Sequence, residues 1–240
     1  MKQGETLPGN EPGGDFEGAL REAFGPEPAG SPNGEGSVLG ILEERSGSPS
    51  TICLRDAPEA PVPLKPVSSF STIGDERARS VALFVEAARV MTSPRCMNCH
   101  PATRQPTQGD DLHAHVPLMY GGPRDHGVPA LPCGSCHGPS NTPTLAPSIA
   151  SIPGNPHWGL APAAMAWQGK PLREICLQLK DRARNGGRSL AKIREHVATD
   201  PLVGWAWNPG EGRAPAPGTQ AQFGALIQAW ISTGAQCPQP

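Results

Sequence analysis

Two stretches of the chain share one five-residue pattern, Cys-x-x-Cys-His: SPRCMNCHP at residues 93–101 and ALPCGSCHGPS at 130–140. Four of the seven cysteines and two of the seven histidines belong to it. The spacing has a chemical use. Cysteines three apart on a turn of helix project the same way, so their sulfurs can reach the two vinyl groups of one porphyrin. The histidine that follows can then present its imidazole to the iron. On this reading Cys96, Cys99 and His100 hold one haem c, and Cys133, Cys136 and His137 hold a second.

Two other chemistries use cysteine pairs. A zinc ribbon would gather the four thiolates in a tetrahedron, but it gives no role to the histidine behind each pair. The 33 residues between Cys99 and Cys133 also exceed the usual ribbon spacing. A dithiol redox site is expected beside a βαβ pattern, and neither motif has one. With only 37 residues from motif to motif, two separate cytochrome modules do not fit, so the haems are expected to share one core.

Each iron has a sixth position to fill. In DDLHAHVPL (110–118), His113 and His115 face opposite sides if the segment is extended, so they could address different groups; a polar surface loop is the plain alternative. His196 points toward the buried side of its helix, as a ligand or as a core histidine. Met165, in LAPAAMAWQGK, follows the second motif as a methionine ligand would, or it fills the core. His126 and His157 sit in turns and rank below these four.

Cys53, Cys176 and Cys237 lie outside the motifs. Cys176 is on the apolar face of a helix and Cys237 follows the last one. A bond between them would close a loop of about 60 residues and stabilise by ~4 kcal/mol; buried free thiols are the other possibility.

Helical periodicity surrounds the motifs rather than containing them. DERARSVALFVEAARVM (75–91) aligns Val81, Phe84, Val85 and Ala88. PLREICLQLKDRARNGG (171–187) aligns Leu172, Ile175, Cys176 and Leu179, with Gly186 as a stop. SLAKIREHV (189–197) aligns Leu190, Ile193 and Val197. TQAQFGALIQAWISTGAQ begins at the cap Thr219 and aligns Phe223, Leu226, Ile227, Trp230 and Ile231. From Arg95 to about Met165 there is almost no period, and a loop of that length needs something else to organise it.

Composition points the same way. Aromatics are 5% of the chain, so side chains alone supply little large apolar bulk, and two porphyrins would add it. Residues 1–70 carry 11 acidic and 5 basic side chains with 10 prolines and 11 glycines, and are expected to be largely irregular. Within them, DFEGALREAFG (15–25) has a short amphipathic pattern, and SVLGILEE and STICLRD could be strands. The expected fold is mainly α: residues 71–240 form a compact dihaem core with long irregular loops.

The ordered string SPRCMNCHP, QGDDLHAH, GVPALPCGSCH, LAPAAMAWQGK, EICLQLKD, NGGRSL and DPLVGW resembles a family of bacterial dihaem cytochromes c that carry the label isoquinoline 1-oxidoreductase subunit. The resemblance spans about residues 80–237 and does not extend to residues 1–70. It implies association with periplasmic molybdenum hydroxylases, which remove electrons from a substrate and need an acceptor.

The function expected from these readings is electron transfer. The alternative is a dihaem enzyme that keeps one iron open, as in peroxidases or sulfur-compound oxidation. The net charge of −2 argues against nucleic acid as partner, and no stretch has the apolar length of a membrane span. Eight basic side chains between Lys170 and Arg194 could dock an acidic redox partner or form a solvated face. MKQGETLPGN lacks the apolar core of a secretory signal; haem attachment of this kind nonetheless takes place outside the bacterial cytoplasm, so the expected location is the periplasm.

Overall fold

Helix α1, Glu76–Met91, begins where the Asp75 carboxylate accepts from the Ala78 amide, one of the donors a helix start leaves unpaired. Its buried arc is wider than the stripe expected from the sequence. Leu83, Phe84, Ala87, Ala88, Val90 and Met91 are buried, whereas Val85 is 42% exposed. The helix packs both on the C-terminal helix and on the short turn Val67–Phe70, so more than one stripe is covered.

The computed structural model describes residues 62–145 and 149–239, all within the unit Leu54–Pro240. The pattern at 15–25, the two strand candidates and Cys53 lie outside the described residues. Leu64 and Phe70, upstream of Ser71, are buried in the same core as α1.

A single helical turn, α2 (Pro94–Met97), opens the first motif with Pro94 in its first turn. Helix α3, Leu172–Lys180, ends before the expected stop at Gly186. Asp181 turns extended there and its side chain accepts from the Ala183 amide, a local bond that competes with helix continuation. Helix α4, Leu190–Thr199, is capped by Ser189, and Asp200 caps a short turn, α5, Pro201–Gly204. The sequence reading placed no element at that turn. Helix α6, Gln220–Ser232, starts with a reciprocal capping box between Thr219 and Gln222.

Helix α6 is the centre of the core, packing against α1 and α4. Trp230 of α6 and Phe84 of α1 are fully buried, with ring centroids 5.2 Å apart. Each such side chain contributes about 1.5–3 kcal/mol by leaving water. Cys176 and Cys237 form a disulfide that ties α3 to the tail beyond α6.

The described residues between α2 and α3 form two short 3-10 turns and three antiparallel ladders of two residues a strand. The ladders pair β1 (Thr107–Gln108) with β2 (His113–Ala114), β3 (Gly127–Val128) with β4 (Leu131–Pro132), and β5 (Thr142–Pro143) with β6 (Ser151–Ile152). The described fold is therefore mainly helical with few short strands, and no described helix is long and apolar enough to cross a membrane.

Candidate functional site

Each motif is built as one turn of helix closed by the same hydrogen bond. The His100 amide donates to the Cys96 carbonyl at 3.0 Å, and the His137 amide donates to the Cys133 carbonyl at 3.0 Å. The four cysteines are free thiols. Among the described residues no three or more His, Cys, Asp or Glu side chains converge as a metal cage requires. Burial pushes the Cys96 thiol up to about 12 and the Cys99 thiol to about 11. At Cys99 the charge of Arg95 opposes burial, and that of Cys133 adds to it.

Both motif histidines are held alike. His100 donates from Nδ1 to the Met165 carbonyl at 2.6 Å and stacks on Trp167, with centroids 3.6 Å apart and planes within 8°. His137 donates from Nδ1 to the Pro153 carbonyl at 2.8 Å and stacks on Trp158 at 4.7 Å. A donor at Nδ1 fixes the neutral tautomer and leaves the Nε2 lone pair for a metal. Burial pushes His100 down to about 4, opposed by its bond to Met165 and aided by the charge of His196. Burial also lowers His137, against its bond to Pro153 and together with the charges of His115 and Arg213.

The long loops close onto these rings through particular residues. The Trp167 and Gln168 amides both donate to the His100 carbonyl, and the Ala161 amide donates to that of Cys99, so residues 161–168 wrap the first motif. Near the second, a Cβ at Gly154 would collide with the Ser140 carbonyl. Glycine there lets the chain carrying Pro153 approach His137. Trp158 meets Trp205 edge-on at 4.8 Å, and the Trp205 indole is anchored on Asn141.

The sixth-position candidates separate. His115 lies with its ring centroid 5.9 Å from that of His137, its Nδ1 donating to the Pro117 carbonyl at 2.8 Å. His196 has its Nδ1 bonded to Asp200 Oδ2 at 3.0 Å. It also lines an open cleft of about 450 Å³ with Arg188, Lys192 and Asp200. His113 is exposed and its Nδ1 is engaged by Asp111. Met165 is buried, and its carbonyl lies behind the His100 ring, on the Nδ1 side. His126 and His157 are exposed.

Unsatisfied groups cluster at the first motif. Among the described residues five buried side-chain polar atoms lack a partner, and four lie around the first motif: Ser93 Oγ, Arg95 Nε and Nη1, and Trp167 Nε1. About the second motif, Val116, Leu118 and Leu131 face solvent. Trp158, Trp167, Arg95 and Asp200 were not singled out from the sequence, because their spacing from the motifs follows no local pattern. Compared with known protein families, characterised proteins and solved structures, the chain matches none.

Proposed function

We propose that this protein is a dihaem c-type cytochrome that takes electrons from one protein and passes them to another. The pairing of His115 with His137 carries the reading. Two imidazoles on one iron, each about 2 Å from the metal, have ring centroids roughly 6 Å apart, and these two stand at 5.9 Å. Both have Nδ1 committed to a carbonyl, which leaves both Nε2 atoms for a metal. At the first motif we assign His196 as the second imidazole beside His100; their Nδ1 atoms are engaged by Asp200 and by the Met165 carbonyl.

The surroundings fit the group. Buried polar atoms without partners gather at the first motif, and apolar side chains without cover flank the second. A thioether sulfur is uncharged and suits a site where burial raises both thiols of the first pair, whereas zinc would need them as thiolates. When bound, each haem supplies a one-electron iron couple. The residues of the chain engage Nδ1 of all four imidazoles and fix the two motif rings, His100 on Trp167 and His137 on Trp158, by indole stacking.

Two histidines per iron leave no open position, which favours a carrier over a peroxidase-like or sulfur-oxidising enzyme. They also give a lower potential than a methionine ligand would. We place the protein in the periplasm, with a molybdenum hydroxylase as electron donor. Arg188 and Lys192, which line the cleft at His196, belong to the basic stretch 170–194 and offer an acidic partner a docking surface beside one redox centre. Association with that partner is then expected to slow as salt rises.

The test is to express the chain with haem-maturation machinery. The expected product has the mass of two attached haems, a sharp reduced α-band, low-spin ferric signals and no carbon monoxide binding. Colourless protein holding zinc overturns the reading, and one haem that binds carbon monoxide and turns over peroxide moves it to the enzyme.

A further inference from the structure

Arg95, the residue before Cys96, is 3% exposed. Its Nη2 donates to the Gly109 carbonyl at 3.1 Å and to Asp110 Oδ1. Gly109 supports this with a left-handed φ of 76°, which turns its carbonyl toward both Arg95 and Asn98. Nε and Nη1 are buried with no partner. A guanidinium cannot shed its proton, so three N–H bonds, one on Nε and two on Nη1, face an environment without an acceptor. Orphan donors on a buried charge cost more than those on a neutral group, so an acceptor belongs there.

A second cation shares the place. Arg213 is half-buried, held by Ser151 Oγ at 2.8 Å, the Ser151 carbonyl at 2.6 Å and the Pro209 carbonyl at 3.3 Å. Burial lowers it first and the charge of Arg95 lowers it further, while Asp110 opposes both. Its own charge also reaches His137. Asp110 Oδ2 accepts from the Ala214 amide, which joins the two arginines through one carboxylate. Asp110, half-exposed, is ion-paired with Arg95 alone, and the Arg213 guanidinium meets only neutral oxygens, so the two cations share one carboxylate.

We propose that Arg95, seconded by Arg213, forms a carboxylate site that binds a propionate of the haem held by Cys96 and Cys99. This rests on the dihaem reading and extends it: the missing anion is part of the cofactor itself. Besides the vinyl groups that the cysteines would take, a haem carries two carboxylates, the kind of acceptor that the spare N–H groups of Arg95 lack. Arg is suited to that partner because charge-assisted bonds to carboxylate are about twice as strong as neutral ones. A fixed cation beside the haem disfavours the more positive ferric state and so holds the potential up.

The test compares wild type, Arg95→Gln and Arg95→Lys as matured holoproteins. Mass and the reduced α-band first establish two attached haems; their absence in wild type is failure of the dihaem reading, not of this site. Potentiometry of Arg95→Gln is then expected to lower one haem by at least tenfold in its one-electron equilibrium, about 59 mV. The other haem should move little, and Arg95→Lys should recover part of the shift. Two attached haems with both potentials unchanged overturn the proposal. If Arg95→Gln does not mature, Arg213→Gln carries the test, with the same haem expected to fall and unchanged potentials overturning it. Wild-type potentials should be equal in phosphate and in perchlorate at one ionic strength. A shift in phosphate assigns the site to a free anion and overturns the propionate.

Discussion

The imidazole of His115 stands 5.9 Å from that of His137, its plane inclined by 61°, and each ring donates from Nδ1 to a proline carbonyl, Pro117 and Pro153. The two residues are 22 apart in the chain, with only the two-residue strands β3 and β4 and the 3-10 turn Cys133–Ser135 between them. The spacing suits the shared partner at Nε2 proposed above.

Replacing His115 by Ala should therefore open one iron. That haem turns high-spin and binds carbon monoxide while both haems stay attached. His113→Ala should leave both irons low-spin, because His113 faces solvent with Asp111. Optical and electron paramagnetic resonance spectra of the two variants decide it; carbon monoxide binding by His113→Ala alone would reverse the assignment.

At the other centre, His196→Ala should open the first iron. Asp200→Asn should keep it low-spin but raise its potential, since a carboxylate behind an imidazole increases the basicity of the ligand. An Asp200→Asn protein with both potentials equal to wild type would show that the carboxylate only caps α5.

The bond between Cys176 and Cys237 closes a separation of 61 residues. Removing it with a Cys176→Ala, Cys237→Ala double variant should cost ~4 kcal/mol in denaturant unfolding. The haems should remain attached, because neither cysteine belongs to a motif. A loss below ~1 kcal/mol would place the stability of α3 in packing alone.

Trp230→Ala should destabilise by about 3–5 kcal/mol, as loss of a fully buried indole against Phe84 leaves a cavity at the centre of the core. Thermal unfolding followed by far-ultraviolet dichroism measures it. The same substitution at Val85, 42% exposed, should cost much less.

Acid should act on the haem-free chain through His100. Its folded value of about 4 lies below the ordinary 6.5, so the unfolded chain takes up this proton first as the pH falls. The stability contributed by the neutral ring is fully present above about 6.5 and is lost as the pH falls through about 4. With iron on Nε2 that proton has no place to bind. Melting temperatures between these pH values should fall more steeply for haem-free wild type than for haem-free His100→Gln; parallel slopes would remove His100 as the cause.

Much of this molecule is local and so was legible in one dimension. Cys-x-x-Cys-His carries its own geometry, since one helical turn sets both sulfurs and the imidazole, and the structure closes both turns with the same bond. The helices at 76–91, 190–199 and 220–232 follow from apolar period and caps. The length of α3 was less legible, because the side chain of Asp181 offers its backbone an alternative to helix. Tertiary structure alone decided which face of α1 is covered and that Cys176 meets Cys237. It also decided that Trp167 and Trp158 stack on the motif histidines, that Arg95 is buried with spare donors, and that His115 rather than His113 meets His137. The stacking and His115 contacts join residues on aperiodic loops, where the next residue along the chain constrains nothing about the partner. They are set by where the loops close, and closure depends on single residues such as Gly154 whose role is visible only when two backbones already touch.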